Sequence, residues 1–359
     1  MNFTIRQHPA PVPADQRAAA METLGFGTLF TDHMVTIRYT EGQGWHDAVL
    51  GPREAIPLDP AAAVLHYAQE IFEGLKAYRM PDGTVASFRP EANAARFNRS
   101  ADRLAMPALP EELFVESIKK LVAADIDWVP AADKGSLYLR PFMFASEAFL
   151  GVRPAREYIY CVIASPVGGY FKGGKSAVSL WVSHDQARAA PGGTGAAKCG
   201  GNYAASLQPQ AVGIEHGCDQ VLFLDAVERK WIEELGGMNV MFVFNDGTII
   251  TPPLTGSILP GVTRDSLRLL AGEAGYTVRE ELYSFDQWMA DAKSGKLKEA
   301  FACGTAAVIT PIGEVRSERG NFVIGNGDGG DVARALRANL VGIQLGEKPD
   351  THGWMTTLA

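Results

Sequence analysis

The chain has 359 residues, 47% of them hydrophobic and 21% charged, which supplies apolar material for two packed cores or one large one and excludes a peptide, a coiled coil and a disordered chain. Acidic residues outnumber basic ones by 41 to 33, a formal charge of -8, so no overall positive field draws a phosphate backbone and nucleic acid is not an expected partner. Cys161, Cys199, Cys218 and Cys303 form neither a CxxC pair nor a disulfide framework, and no stretch approaches the ~20 apolar residues of a membrane span, so a cytoplasmic protein without membrane or metal is expected.

The first ~25 residues, with Pro9, Pro11 and Pro13 ahead of an alanine-rich patch, lack a clean period and read as an extended arm. Residues 31–39 alternate like a strand and return over 45–50. The same hairpin rhythm recurs over 77–88 around Pro81-Asp82-Gly83,. Residues 90–106 and 110–126 read as helices, the second with Leu113, Ile118, Leu121 and Val122 on one face,. Residues 137–144 and 157–164 read as buried strands. Chain breakers crowd 165–176, which places a domain boundary there: a smaller domain over 1–168, a connecting loop over 169–176 and a larger domain over 177–359. The second half opens on a strand over 177–183, enters a helix over 203–215, and continues with strands at 220–225 and 238–244. The latter turns at Asn245-Asp246-Gly247 into 248–251,. Helices and strands alternate to the end, and the glycine tract 325–330 reads as a surface turn.

Gly169-Tyr-Phe-Lys-Gly-Gly174-Lys175-Ser176 satisfies GxxxxGK[ST] letter by letter. A phosphate-binding P-loop needs a helix directly after the Lys-Ser, and the residues that follow alternate like a strand, so the match is read as coincidence. A richer segment is Gly192-Gly-Thr-Gly-Ala-Ala-Lys198-Cys-Gly-Gly-Asn202-Tyr203. Its small residues leave room for a ring-sized ligand beside a lysine with no neighbouring charge, and a desolvated amine suits Schiff-base chemistry. In Trp231-Ile-Glu233-Glu234-Leu-Gly-Gly237-Met-Asn239 two adjacent carboxylates end a strand, so one is expected to face a site and the other solvent,. Pro260-Gly-Val262-Thr263 opens a helix whose first amides, at Val262 and Thr263, can receive an anion,. Cys303-Gly304-Thr305-Ala306-Ala307 offers a hydroxyl and amides to an oxyanion, and Arg96, with Tyr138-Leu-Arg140, supplies cations.

In this order and spacing the segments closely resemble the branched-chain-amino-acid aminotransferases, pyridoxal-phosphate enzymes of fold type IV. The likeness runs from Phe26-Gly-Thr-Leu-Phe-Thr-Asp-His-Met34 through Gln69-Glu-Ile-Phe-Glu-Gly-Leu-Lys-Ala77 to the Asp350-Thr-His-Gly-Trp354 tail, and the lysine segment is its most specific piece. The resemblance implies a two-domain α+β fold of the D-amino-acid-aminotransferase-like kind and pyridoxal 5'-phosphate as cofactor. It implies that Lys198 carries the cofactor covalently, that Glu234 contacts the pyridine nitrogen and Tyr203 the ring hydroxyl, and that Arg96, the amides of Val262 and Thr263, and Thr305 hold the phosphate. On the substrate side Phe26, Tyr67, Phe72, Tyr138 and Tyr170 resemble an aromatic box for a branched side chain. Thr305 and Ala306 would lie near the α-carboxylate, and Arg140 is available to glutamate's distal carboxylate. Leu150 and Val152 resemble a loop that reaches the neighbouring subunit, which implies a homodimer. Two departures stand out: Ala307 and Thr310 occupy the places of the vertebrate redox CxxC, and Gly237 replaces a threonine that helps hold the carboxylate in vertebrate members.

The activity implied is reversible amino transfer between leucine, isoleucine or valine and 2-oxoglutarate, giving glutamate, with Lys198 as general base and acid. The alternatives are a D-amino-acid aminotransferase or aminodeoxychorismate lyase of the same fold type, an ATP-dependent enzyme using Lys175, and a catalytically silent binding protein.

Overall fold

The computed structural model describes residues 1–168 and 176–359. Its contacts divide the chain into two compact units, one over Met1–Tyr170, Ala197–Gly200 and Gly342–Ala359, the other over Phe171–Ala196 and Gly201–Val341. The expected boundary put all of 177–359 in one domain, whereas the contacts assign residues 197–200 and the tail to the first unit.

The first unit is built on one sheet of nine strands: β1 (Thr4–Ile5), β2 (His33–Thr40), β3 (Gly44–Pro52), β4 (Glu70–Phe72), β5 (Leu75–Arg79), β6 (Val85–Phe88), β7 (Ser136–Ala145), β8 (Glu157–Val167) and β18 (Met355–Thr357), in the order β1-β3-β2-β8-β7-β5-β6-β18 with β4 beside β7. Among the described strands of this sheet, only β1 runs parallel to its neighbour. The tail joins this unit because β18 pairs antiparallel with β6, Met355 opposite Phe88. The β5–β6 hairpin turns where the proline-aspartate-glycine run predicts: Gly83 takes φ +88° and Asp82 Oδ1 accepts from the Thr84 amide at 3.0 Å,.

Two helices cover the core. Pro90 opens α3 (Pro90–Arg103) at a position where its missing N–H costs nothing, and α4 (Glu111–Ala124) buries Leu113, Phe114, Ile118, Leu121 and Val122,. Phe97 meets Tyr160 edge-on at 5.7 Å, and the Tyr160 hydroxyl is 2.9 Å from that of Ser117, so the buried ring keeps a polar partner,. One expectation fails at the start of the chain. The alanine patch folds into a short helix, α1 (Ala14–Ala20), anchored by the Arg17–Asp127 ion pair at 2.7 Å. A short α2 (Ala63–Tyr67) precedes β4.

The second unit holds another nine-stranded sheet, of mixed direction: β9 (Val178–Ser183), β10 (Gln220–Leu224), β11 (Ile232–Leu235), β12 (Asn239–Phe244), β13 (Thr248–Thr251), β14 (Thr277–Glu280), β15 (Leu297–Gly304), β16 (Val308–Arg316) and β17 (Phe322–Val323), in the order β11-β10-β9-β16-β15-β12-β13-β14 with β17 on β16. β9 is parallel to both β10 and β16. Its helices are α5 (Gly200–Glu215), α6 (Val262–Glu273), α7 (Phe285–Ser294) and α8 (Asp331–Gln344), the first and last of which run across the unit boundaries. A strand, β9, follows Ser176, so the helix that a P-loop requires is not there; Lys175 itself lies outside the described residues.

The glycine tract is more than a surface turn. A methyl on Gly330 would lie 1.6 Å from the Glu299 carboxyl carbon, because the buried Glu299 reaches past it to accept from the Val332 and Ala333 amides at 3.0 and 2.9 Å, capping α8,. Both units are α+β, as expected.

Candidate active site

Lys198 lies in the loop just before α5 and is half-buried, between Ala197 and Cys199, each 3% exposed. Its Nζ stands 4.8 Å from the centre of the Phe72 ring. The Arg140 guanidinium lies over the same ring at 4.8 Å and over the Tyr138 ring at 5.4 Å, and donates to the Tyr138 hydroxyl at 3.1 Å,. Phe26 meets Tyr138 edge-on at 5.1 Å. Tyr138 and Arg140 share one side of β7 because they are two residues apart, while β4 delivers Phe72. Gly74 admits the tyrosine: a methyl there would sit 2.0 Å from the Tyr138 hydroxyl. The first unit therefore links Phe26, Tyr138, Arg140 and Phe72 in one chain of contacts, and the lysine amine lies over the Phe72 ring. Tyr67 is more exposed, at 39%, and its hydroxyl donates to the Leu150 carbonyl, which ties it to the loop carrying Leu150 and Val152. Tyr170, the remaining aromatic of the expected box, lies outside the described residues.

The lysine's expected isolation from charge is not observed. Glu73 is fully buried and accepts from Arg96 Nε at 2.7 Å, Arg96 Nη2 at 2.8 Å and Asn93 Nδ2 at 2.7 Å. Burial pushes its carboxyl up, but the Arg96 charge and hydrogen bonds, aided by the Lys198 charge and Asn93, outweigh it and hold the group below the ordinary carboxylate range,. Lys198 thus has an acidic neighbour brought by the fold and not by the chain. Glu70, on the same strand as Phe72, is pushed up by burial, against the Gly200 hydrogen bond and the Arg140 charge.

The second unit assembles Tyr203, Glu234, Gly237, Val262, Thr263, Thr305 and Ala306 from separate elements. Glu234 is 3% exposed. It pairs with Arg188 Nη2 at 2.5 Å, accepts from the Leu259 amide at 3.0 Å and receives Asn239 Nδ2 at 3.4 Å. Asn239 also donates to the Leu259 carbonyl at 3.0 Å. Gly261 must be small, since a methyl there would meet Asn239 Oδ1 at 2.1 Å. These contacts fix the loop that delivers the N-terminus of α6, whose N-cap Gly261 has no side chain to offer the amides of Val262 and Thr263,. At Gly237 a methyl would stand 3.8 Å from Tyr203 Cε1, and one at Gly304 would stand 3.7 Å from the Gly237 carbonyl, so the half-buried turn with Thr305 and Ala306 adjoins the β11–β12 turn.

The expectation for Glu233 is corrected. It does not face solvent: it is 7% exposed and takes the Ser257 hydroxyl on Oε1, while its Oε2 has no hydrogen-bond partner among the described residues. Burial raises its carboxyl above the usual range, against the Ser257 hydrogen bond and the Arg188 charge. β11 is covered on both sides, so strand alternation no longer sorts wet from dry. Sequence reasoning also passed over Arg188. This 7%-exposed guanidinium donates to the Gly195 and Ser257 carbonyls at 3.1 and 2.6 Å and neutralises Glu234,. Its only local signal is the arginine of Arg188-Ala-Ala-Pro191 ahead of the glycine tract. Among the described residues no cluster of metal-ligating side chains occurs.

Residues 70–315 match the amino-transferase class IV family. Over its whole length the chain is 56% identical to a branched-chain-amino-acid aminotransferase of Mycolicibacterium smegmatis, of which it covers 98%. The branched-chain amino acid aminotransferase of Escherichia coli has a similar fold, with a TM-score of 0.71 and 28% identity over 90% of this chain and 99% of that one. The T.th. branched-chain amino acid aminotransferase, solved in complex with N-(5'-phosphopyridoxyl)-L-glutamate, superposes with a TM-score of 0.72 and 29% identity over 90% and 98%. The family match spans β4 with Phe72, the lysine loop, the β11–β12 turn beside Glu234, the α6 N-terminus and the Thr305 turn, and on that ground the chain belongs to the class IV aminotransferases.

Proposed function

We infer that this protein is a pyridoxal-phosphate-dependent transaminase, transferring the amino group reversibly between leucine, isoleucine or valine and 2-oxoglutarate. The observation that carries the reading is the amine of Lys198 beside Phe72, with the Arg140 guanidinium over the same ring. Full-length identity to branched-chain aminotransferases supports the substrate class.

The residues present fit the cofactor. A phosphorylated pyridine aldehyde needs an anion site, a carboxylate for its ring nitrogen and an amine. The chain offers an uncapped helix N-terminus at Val262 and Thr263, the Thr305 turn, a buried Glu234 fastened by Arg188, and Lys198. Arg96 completes the phosphate set in this reading, and Tyr203 contacts the ring hydroxyl. When bound, the cofactor supplies an aldehyde that condenses with amines and a ring that withdraws electrons. Lys198 Nζ would take the proton from the α-carbon of the amino donor and hand it to the carbon that carried the cofactor's aldehyde, and in the return half-reaction it would deliver a proton to the α-carbon derived from the incoming oxo acid. Glu234 holds the proton on the ring nitrogen. Arg140 receives glutamate's distal carboxylate, whereas Phe26, Tyr67, Phe72 and Tyr138 enclose a branched aliphatic side chain. Apolar walls separate substrates that differ by a methylene by only ~1–3 kcal/mol, so all three branched amino acids are accepted. Thr305, Ala306 and Gly237 lie by the α-carboxylate.

The assembly is a cytoplasmic homodimer. Leu150 and Val152 are 66% and 88% exposed, a strong apolar display on a loop braced by the Arg153–Glu147 pair at 2.7 Å, which suits burial against a second copy.

Absorbance spectra of the protein with added pyridoxal phosphate, followed by borohydride reduction and peptide mapping, test the reading. The reduced adduct is expected on Lys198. L-leucine and L-glutamate should discharge the chromophore where D-alanine and aminodeoxychorismate do not, and Lys198→Ala should lose at least about a thousandfold in rate. An adduct on another side chain, or discharge by D-alanine alone, overturns it.

A further inference from the structure

Four residues, Ala197–Gly200, group with the first unit although the chain on either side groups with the second. Their main chain is claimed from two elements of the first unit. The Lys198 N–H donates to the Ser100 hydroxyl at 2.9 Å, the Lys198 carbonyl accepts from the Phe72 amide at 3.0 Å, and the Gly200 N–H donates to the Glu70 carboxylate. Ala197 and Cys199 sink into the same hydrophobic core, so the side chain between them is turned out of it,. A methyl on Gly200 would lie 2.0 Å from Glu70 Oε1, so a larger residue there would displace the Glu70 carboxylate. Ser100 has no exposed surface and stands one helical turn beyond Arg96 on α3; Glu70 sits two residues before Phe72 on β4.

We propose that Ser100 and Glu70 are positioning residues for Lys198, fixing the backbone on both sides of the amine so that it is presented in one direction. The proposal rests on Lys198 being the reactive amine. An amine that takes a proton from a carbon and returns one must reoccupy the same place each cycle, and a displacement of about 1 Å can cost about a hundredfold in rate. Two peptide units fastened from a helix and a strand supply that constancy where the glycines that open α5, Gly200 and Gly201, would not. Losing either acceptor leaves a sequestered N–H without its partner, and the backbone shifts to find another.

The test compares full-length Ser100→Ala, Glu70→Ala and Glu70→Gln with the unaltered protein. Glutamine keeps an oxygen acceptor for the Gly200 amide. Amide hydrogen exchange over 197–201, measured without added cofactor, should quicken about tenfold or more in Ser100→Ala and Glu70→Ala. In the loaded enzyme kcat should fall about 10- to 100-fold with KM changed less than about threefold, and Glu70→Gln should recover most of what Glu70→Ala loses. Unchanged exchange, or a glutamine variant as slow as the alanine one, overturns the proposal. Should Ser100→Ala fail to fold, the Glu70 pair alone decides. Borohydride mapping separates the two failures: an adduct away from Lys198 sinks the functional reading, whereas an adduct on Lys198 with unaltered exchange and rate sinks only the positioning role.

Discussion

Glu73 is the residue on which the sign of the local electrostatics turns. Its carboxyl titrates below the ordinary glutamate value of 4.5 because burial, which acts upward, is outweighed by Arg96, Lys198 and Asn93. A group depressed in the folded state contributes stability that is complete above the unfolded value and is lost as the pH falls through the folded one. Glu73→Gln should therefore cost about 3–5 kcal/mol near neutrality, since it leaves Arg96 buried and uncompensated. The gap in melting temperature from the unaltered protein should narrow steadily below pH 4.5; a gap independent of pH would refute this ordering of effects. At this scale sequence reading had mixed reach. Lys198 stands out because glycines and alanines surround it, and Glu234 because it ends a strand ahead of two glycines. Arg188 is invisible from its neighbours: its acceptors are the carbonyls of residues 7 and 69 positions away. Glu73 hides for the same reason, since Arg96 and Asn93 lie 23 and 20 residues on.

Among the elements, periodicity located α4 within two residues at each end and placed the β5–β6 and β12–β13 hairpins by their turn residues. What it missed are features set by tertiary partners. A seven-residue helix such as α1 is too short to stand on propensity and depends on contacts like Arg17–Asp127,. The tract at 325–330 looked like solvent-facing punctuation, but its last glycine exists to let Glu299 pass. Gly330→Ala should consequently destabilise by about 1–3 kcal/mol, visible as a lower melting temperature. The same change in a Glu299→Ala background should cost much less, because the obstructed side chain is gone. Equal costs in both backgrounds would show that the glycine serves some other purpose.

For the whole molecule, no helix among the described residues is long and apolar enough to cross a membrane. The chain is divided into two units, and the membership of residues 197–200 and of the tail in the first is not legible in the sequence. Strand pairing of β18 with β6 and the Ser100 and Glu70 hydrogen bonds join residues far apart in sequence and leave no periodic trace. Assembly is measurable directly. Light scattering should give a particle of about twice the chain mass. If the loop of Leu150 and Val152 serves the neighbouring copy, a Leu150→Asp/Val152→Asp protein and a Lys198→Ala protein, each nearly inactive, should regain activity when their subunits are exchanged. No recovery after confirmed exchange would place that loop's role within one copy.

All four cysteine side chains are enclosed. Burial raises the Cys161 and Cys218 thiols and pushes Cys303 up to about 12, so these sulfurs stay protonated and walled off from oxidants and alkylating reagents. Storage in air without reductant, and handling with maleimide dyes aimed at an introduced surface cysteine, should leave the thiols of Cys161, Cys218 and Cys303 untouched, which favours the chain as a background for site-directed labelling.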